Sequence, residues 1–306
     1  MGVWIDTDMG FDDIAAILVV AQSEYEIDGI SLVFGNTPLP QVRMNAAGAA
    51  YAFGWTFPIH TGRAAPVLGK LETAQAILGE TGIPTAGKSL PEAPALADSD
   101  AFTALCRWLE GSEPHRILAL GPLTNIAALA LARPDLAARI TDLVWMGGGI
   151  TSGNHTASAE FNALADPEAL AIVIAHGLPL RMVDLDLCRR VLARPEDTES
   201  VRNAGGANAE LIADLFAGYI NIGTSRGRPG MAIYDSSAAV AFVAPDVVIF
   251  RSARVDVELQ GAFTRGRTVV ETRATHATFN AQFAADIDAD EARAIILAAL
   301  INEARK

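Results

Sequence analysis

Two cysteines in 306 residues, Cys106 and Cys188, are too few for a disulfide framework. Neither belongs to a CxxC pair or stands beside a histidine cluster, which argues against thiolate metal sites and leaves buried thiols in a reduced compartment. The N-terminus has no basic start or apolar stretch, because MGVWIDTD runs straight into charge, so no cleaved leader is expected. Apolar runs are short, Ile126–Ala132 being typical, and fall far below the roughly 20 residues of a membrane span. Positive charge is scarce: 23 lysines and arginines face 36 aspartates and glutamates, a formal net charge of −13. Such a surface repels phosphate backbones, so nucleic acid is a poor partner. Internal repeats, low-complexity tracts and linkers are also missing. A cytoplasmic protein that binds neither membrane nor nucleic acid is expected.

Apolar residues are abundant. At 51% of the chain they can fill a large core. GVWID reads as a buried strand and DDIAAILVVAQS as a helix. The alternation continues through IDGISLVFGN, QVRMNAAGAAYAFG and FPIHTG, then an irregular stretch over 63–98. It resumes with AFTALCRWLEG (helix), RILAL (strand) and TNIAALALAR (helix), the last capped by Thr124 or Asn125. TDLVWMGGG and LPLRMVDLDL are further strands around the helix DPEALAIVIAHG, with NAELIADLFAGYI, GRTVVETR and DEARAIILAALINEAR later. This pattern predicts an α/β fold: one domain over 1–306, with a mostly parallel, Rossmann-like central sheet flanked by helices. Ligands of such sheets bind beyond the carboxyl ends of the strands. Asp6–Asp13, Gly35-Asn36, Leu120-Gly121, Met146–Gly149 and Asp184–Asp186 occupy those ends.

The stretch VWIDTDMGFDD places Asp6, Asp8, Asp12 and Asp13 within eight positions. Helix-start capping explains Asp12 and Asp13. Four carboxylates around one turn need a cation, a proton or strong hydrogen bonding. An all-oxygen set suits Ca²⁺ or Mg²⁺ better than zinc, and Gly10 would let the turn bend so that Asp8 and Asp13 face one point. A strand followed by DxD also begins Mg²⁺ phosphohydrolases of the haloacid-dehalogenase type. Here, however, Met9-Gly10-Phe11 and a second acidic pair follow, which fits that pattern poorly.

DTDxGxDD after an N-terminal strand resembles the signature of the nucleoside hydrolases of the inosine–uridine-preferring type. VFGNTPL, LALGPLTNIAALAL, VWMGGGITSGNHTASAEFNALADPEAL and VELQGAFTRGRTVVE resemble further segments of that family, in order and over nearly the whole chain. The resemblance implies hydrolysis of the N-glycosidic bond of a ribonucleoside, giving free base and ribose, by a homodimer or homotetramer. By position it implies a Ca²⁺ ion on Asp8, Asp13, Asp235 and the Leu120 carbonyl, with Asp8 also the general base. Ribose would be held by Asp12, Asn36, Asn154, Glu160, Asn162 and the Met146 backbone, with Phe161 packed near sugar or base. On the residues alone, Asn154 equally suits a turn, and Glu160 and Asn162 in an extended segment would share one face.

Bond cleavage builds positive charge on the ribose, which carboxylates and a positioned water answer. Departure of the base is helped by a proton, and here the chain departs from the family. Where many members carry histidine before the last metal aspartate, this chain has Tyr234, and a second family histidine aligns with Leu78. Tyr234 could donate a hydrogen bond, Tyr219, Arg226 or Arg228 could substitute, or the base could leave by stacking and solvent protonation. A shifted substrate, or a ribose binder without turnover, are the alternatives this opens. His60 and His176 read as structural, His155 as a turn residue, and His115 and His276 as surface.

Overall fold

A computed structural model describes residues 2–112 and 114–306 of the chain. The strands are β1 (Gly2–Thr7), β2 (Glu26–Leu32), β3 (Ile59–Thr61), β4 (His115–Ala119), β5 (Ile140–Met146), β6 (Leu180–Val183), β7 (Leu192–Ala193), β8 (Met231–Ala232), β9 (Val248–Val257), β10 (Thr268–Glu271) and β11 (Ala281–Ile287). Nine of them form one sheet in the order β10-β9-β11-β6-β5-β4-β1-β2-β3, and β7 pairs with β8 apart from it. From β3 to β11 every neighbour is parallel; β9 runs antiparallel to both β11 and β10. The mostly parallel α/β expectation therefore holds.

Strand side chains alternate between faces, and the sequence shows why both faces are covered. Val3 and Ile5 of β1, Leu118 of β4 and Val144 of β5 join one core with helices Phe11–Ala21, Ala209–Thr224, Tyr234–Val243 and Ala289–Ala304. Trp4, Ile117 and Trp145 point the other way, into a second core with helices Ala101–Leu109, Thr124–Ala132 and Pro167–Ala175. After β1 the chain builds outward through β2 and β3. It then returns to lay β4 on the opposite side of β1, with Asp6 in register with Ala119. The strand order reverses there, and such a switch point opens a crevice at the strands' carboxyl ends.

Several local expectations are corrected. Neither Thr124 nor Asn125 caps the helix Thr124–Ala132; its N-cap is Leu123, without a side-chain bond. Both side chains bond elsewhere. The Thr124 hydroxyl donates to Asp166 (2.7 Å), and Asn125 Nδ2 donates to Asp6 Oδ1 (2.7 Å) and to the Leu32 carbonyl (3.1 Å) while its Oδ1 accepts from Arg63 N (2.9 Å). β2 stops at Leu32, so Gly35-Asn36 lies in the loop beyond it. His115 is buried rather than on the surface, edge-on to Trp108. β9 and β11 carry no clear apolar alternation, and β9 spends exposed positions on Arg251, Ser252 and Asp256. His60 stacks on Trp4 and bonds Ser99, as a structural histidine should.

Asn125 ties β1, β2 and the loop after β3 with one buried amide. Asn125→Ala removes the three hydrogen bonds of that amide, so it should destabilise the protein by about 2–3 kcal/mol. A urea midpoint equal to wild type would show that the amide is not a strut.

Candidate active site

At the end of β1 the backbone turns through Asp8, Met9 and Gly10 into helix Phe11–Ala21. Met9 is the residue in the left-handed region (φ 54°), while Gly10 is not. The expectation that Gly10 supplies the bend is thus corrected. Gly10 is needed for proximity instead: a Cβ there would lie 2.6 Å from Asn36 Nδ2 and 3.1 Å from Asp13 Oδ2. Met9 N donates to Thr7 Oγ1 (3.0 Å) and its carbonyl accepts from Asn45 Nδ2 (3.2 Å), which holds the unfavourable conformation in place.

Asp13 is the hub. It accepts from Thr7 Oγ1 and Gly10 N, and it lies within bonding reach of both Asp8 and Asp235. Single oxygens of Asp12, Asp13 and Asp235 lie within 4.8 Å of one another. Asp8 is turned toward the second loop, its oxygens accepting from Asn36 N (2.7 Å) and Asn36 Nδ2 (2.9 Å). Gly35 makes room for it, since a Cβ there would meet Asp8 Oδ2 at 2.0 Å. Burial first, then repulsion from neighbouring aspartates, pushes Asp8 and Asp235 well above the usual carboxylate range. Burial likewise raises Asp12 to about 7 and lifts Asp13. The fourth sequence acid, Asp6, stands apart. Bonded to Ser31 and Asn125 and raised to about 7 by burial, it braces β1 against β2.

Above the acids opens a pocket of about 200 Å³, room for one small molecule. Asp8, Asp12, Asn36, Leu120, Met146 and Asp235 line its floor. Asn162 closes one side, its Nδ2 donating to the carbonyls of Leu120 (2.8 Å) and Met146 (3.0 Å) at the ends of β4 and β5. The extended segment expected around Phe161 is not what forms. Glu160 is the N-cap of helix Phe161–Ala165, accepting from Asn162 N (2.8 Å), Ala163 N (3.1 Å) and Gly148 N (2.8 Å), so a cap rather than an alternation aims these side chains. Burial raises Glu160 to about 7 despite those three donors. Asn154 accepts from Phe161 N (2.9 Å), and His155 packs on the Phe161 ring at 5.2 Å; all three residues line the pocket.

The opposite wall carries Tyr219 from helix Ala209–Thr224, Tyr234 from the first turn of Tyr234–Val243, and Arg226 and Arg228 from the turn between them. The Tyr219 hydroxyl sits 2.7 Å from the Ala232 carbonyl and 3.0 Å from Asp12 Oδ2. Burial pushes Tyr234 up to about 12. Leu78, on the short helix Gln75–Leu78, faces the same space beside Ala74 and Ile77. Of the residues that the family resemblance nominates for metal, sugar or base, all but Asp13, which lies beneath, therefore line one pocket. Arg189, Ile222 and Met231 were not anticipated; no local motif marks them, because long-range packing brings them in. Asp184 and Asp186 lie elsewhere: Asp184 caps helix Leu185–Cys188, and Asp186 accepts from Ile150 N and Thr151 N.

Comparison with known proteins agrees with this geometry. The family model described as inosine-uridine preferring nucleoside hydrolase matches residues 3–294. A pyrimidine-specific ribonucleoside hydrolase RihA of Escherichia coli O9:H4 (strain HS) is 33% identical over 276 residues, covering 88% of each chain. Among solved structures, a purine-preferring ribonucleoside hydrolase from Gardnerella vaginalis superposes with a TM-score of 0.91 at 26% identity, covering 100% of this chain and 99% of that one. An inosine-guanosine nucleoside hydrolase superposes with a TM-score of 0.88, also at 26% identity, over 98% of both chains. The chain belongs to the inosine-uridine preferring nucleoside hydrolase family, and it is an N-ribohydrolase.

Proposed function

We propose that the protein hydrolyses ribonucleosides with the help of Ca²⁺, with Asp8 as general base, as one catalytic domain in a cytoplasmic homodimer or homotetramer. The observation that carries the reading is the buried cluster of Asp8, Asp12, Asp13 and Asp235, whose strongest neighbouring charges are one another. Such a group is stable only with protons or a cation. Its donor set is all oxygen, the preference of a hard divalent ion. Oxygens of Asp12, Asp13 and Asp235, all within 4.8 Å of one another, are close enough to face a common ion, with Asp8 beside them. Asp8, Asp13, Asp235 and the Leu120 carbonyl would hold the ion. When bound, it supplies positive charge that gathers a water and sugar hydroxyls and eases loss of the water's proton.

The remaining steps belong to the chain's own groups. Asn36 holds Asp8 by two bonds, so the carboxylate has one orientation from which to take the water's proton. Asp12, Asn36, Asn154, Glu160, Asn162 and the Met146 backbone would fix the ribose. That converts an encounter at C1′ into a positioned approach. Carboxylates crowding the floor favour a ring that becomes cationic. A missing 2′ hydroxyl would leave these polar groups without a partner, so deoxyribonucleosides should be poor substrates. The family assignment sets aside a phosphohydrolase and a sensor without turnover. The relatives' own names span pyrimidine and purine preferences, so they leave the base open.

Asp8→Asn keeps the shape and removes the base. Release of reducing sugar from uridine and inosine should fall by about 10²–10⁴-fold; a rate near wild type would remove Asp8 from that role. Thorough chelation should abolish turnover and Ca²⁺ should restore it, while activity indifferent to chelation counts against the metal. The acids also set a pH dependence. Folded-state values raised above the unfolded ones mean that the metal-free folded protein holds more protons. Its stability should therefore be fullest below about pH 4 and decline as pH rises toward 7 and beyond. Thermal midpoints of chelated protein should fall across that window. Added Ca²⁺ should raise them most at the alkaline end, and a flat profile would mean that the cluster is relieved by other means.

A further inference from the structure

Positive charge gathers where the rest of the molecule has little. Arg189, Arg226 and Arg228 line the wall of the pocket that carries Tyr234, in a chain of net charge −13. Arg189 is fixed from behind: its guanidinium donates to Ser152 Oγ (2.8 Å) and the Gly153 carbonyl (2.8 Å), with Asp186 at 3.3 Å. Arg226 and Arg228 follow helix Ala209–Thr224 in a turn whose amides both return to the Gly223 carbonyl (3.0 and 3.2 Å). Among the described residues neither guanidinium has a carboxylate or hydrogen-bond partner, so both are free to meet a ligand in the pocket they line. Arg189 and Arg228 both act electrostatically on the Tyr234 phenol, which places their charge at the position the family resemblance gives to the leaving-group acid.

We propose that Arg189, Arg226 and Arg228 form a cationic rim that selects ribonucleosides with an anionic base and stabilises the departing base as an anion. The proposal rests on the ribohydrolase reading of the pocket and names its substrate class. In the reaction the water oxygen bonds to C1′ and its proton passes to Asp8. The C1′–N bond breaks with its electron pair going to the base nitrogen, and the freed base takes a proton from solvent. Guanidinium keeps its protons at any working pH, so the rim acts through charge and forked hydrogen bonds, not as an acid. A fixed positive field aimed at charge that develops on the leaving group supplies what imidazole supplies elsewhere. A carboxylate or ionised imide on the base would meet Arg226 and Arg228 directly.

The test compares kcat/KM within two pairs, 5-carboxyuridine against uridine and xanthosine against inosine, with uridine 5′-phosphate as a third arm, at mildly alkaline pH. The anionic member of each pair should be preferred by about tenfold or more, the worth of a charge-assisted hydrogen bond. That preference should shrink with added salt. In the double variant Arg226→Gln/Arg228→Gln the preference should drop by about tenfold, and Arg228→Lys should recover part of it. A wild type that favours neutral bases, or a ratio unmoved in the double variant, overturns the rim. A preference for the 5′-phosphate over both base-charged substrates would mean that the arginines read the other end of the substrate, and also overturns it. If nothing in the panel is turned over, calorimetric Kd values give the same ratio and decide the rim on their own. Preference for anionic bases with turnover indifferent to chelation would keep the rim and sink the metal reading instead.

Discussion

Mutual repulsion among buried carboxylates is the constraint around which this molecule is arranged. Asp8, Asp12, Asp13 and Asp235 come from two segments more than 200 residues apart, yet they meet where the sheet reverses its strand order. Desolvation there works against every one of them. A fold seeking stability alone would not assemble such a group, because hydrophobic residues of similar volume would serve as well or better. Thr7, Gly10 and Asn36 hold the acids in place, and Met9 accepts an unfavourable backbone conformation to complete the turn. Strain and like charge concentrated at one point are the signature of a site kept for chemistry.

The pocket divides electrostatically. Its floor is built of carboxylates and suits a sugar that becomes positive. One wall is cationic and suits a base that becomes negative. Hydrolysis of an N-glycosidic bond separates these two charges, so under the reading proposed above a polarised cavity would lower the barrier from both ends without a proton donor at the base. Tyr234, beside that wall, is consistent with this division, since burial raises its phenol to about 12 and keeps it un-ionised.

Much of this was legible in the sequence because the signals are local. Apolar runs alternating with amphipathic helices announced a parallel sheet, and DTDMGFDD announced an acidic turn at the first strand's end. The motif resemblance drew Glu160 and Asn162 toward the ligand, although their local geometry was misjudged. A cap forms where an extended segment was expected, because Glu160 accepts three backbone N–H groups that an extended chain would not present together. Asn125 read as a helix cap and proved to be a strut, since its partners on β1 and β2 are distant in sequence. Arg189 escaped notice for the same reason. β9 and β11 were hidden because exposed and half-buried residues interrupt them irregularly, leaving neither a continuous apolar run nor a clean alternation.

The Asn162 amide has one more consequence. Its two hydrogens already draw together the carbonyl oxygens of Leu120 and Met146, at the tips of neighbouring strands. Those dipoles point at a common spot and would otherwise push apart. The partial positive charge of the amide offsets that repulsion, so the two strand ends are held together by one side chain anchored in the helix Phe161–Ala165.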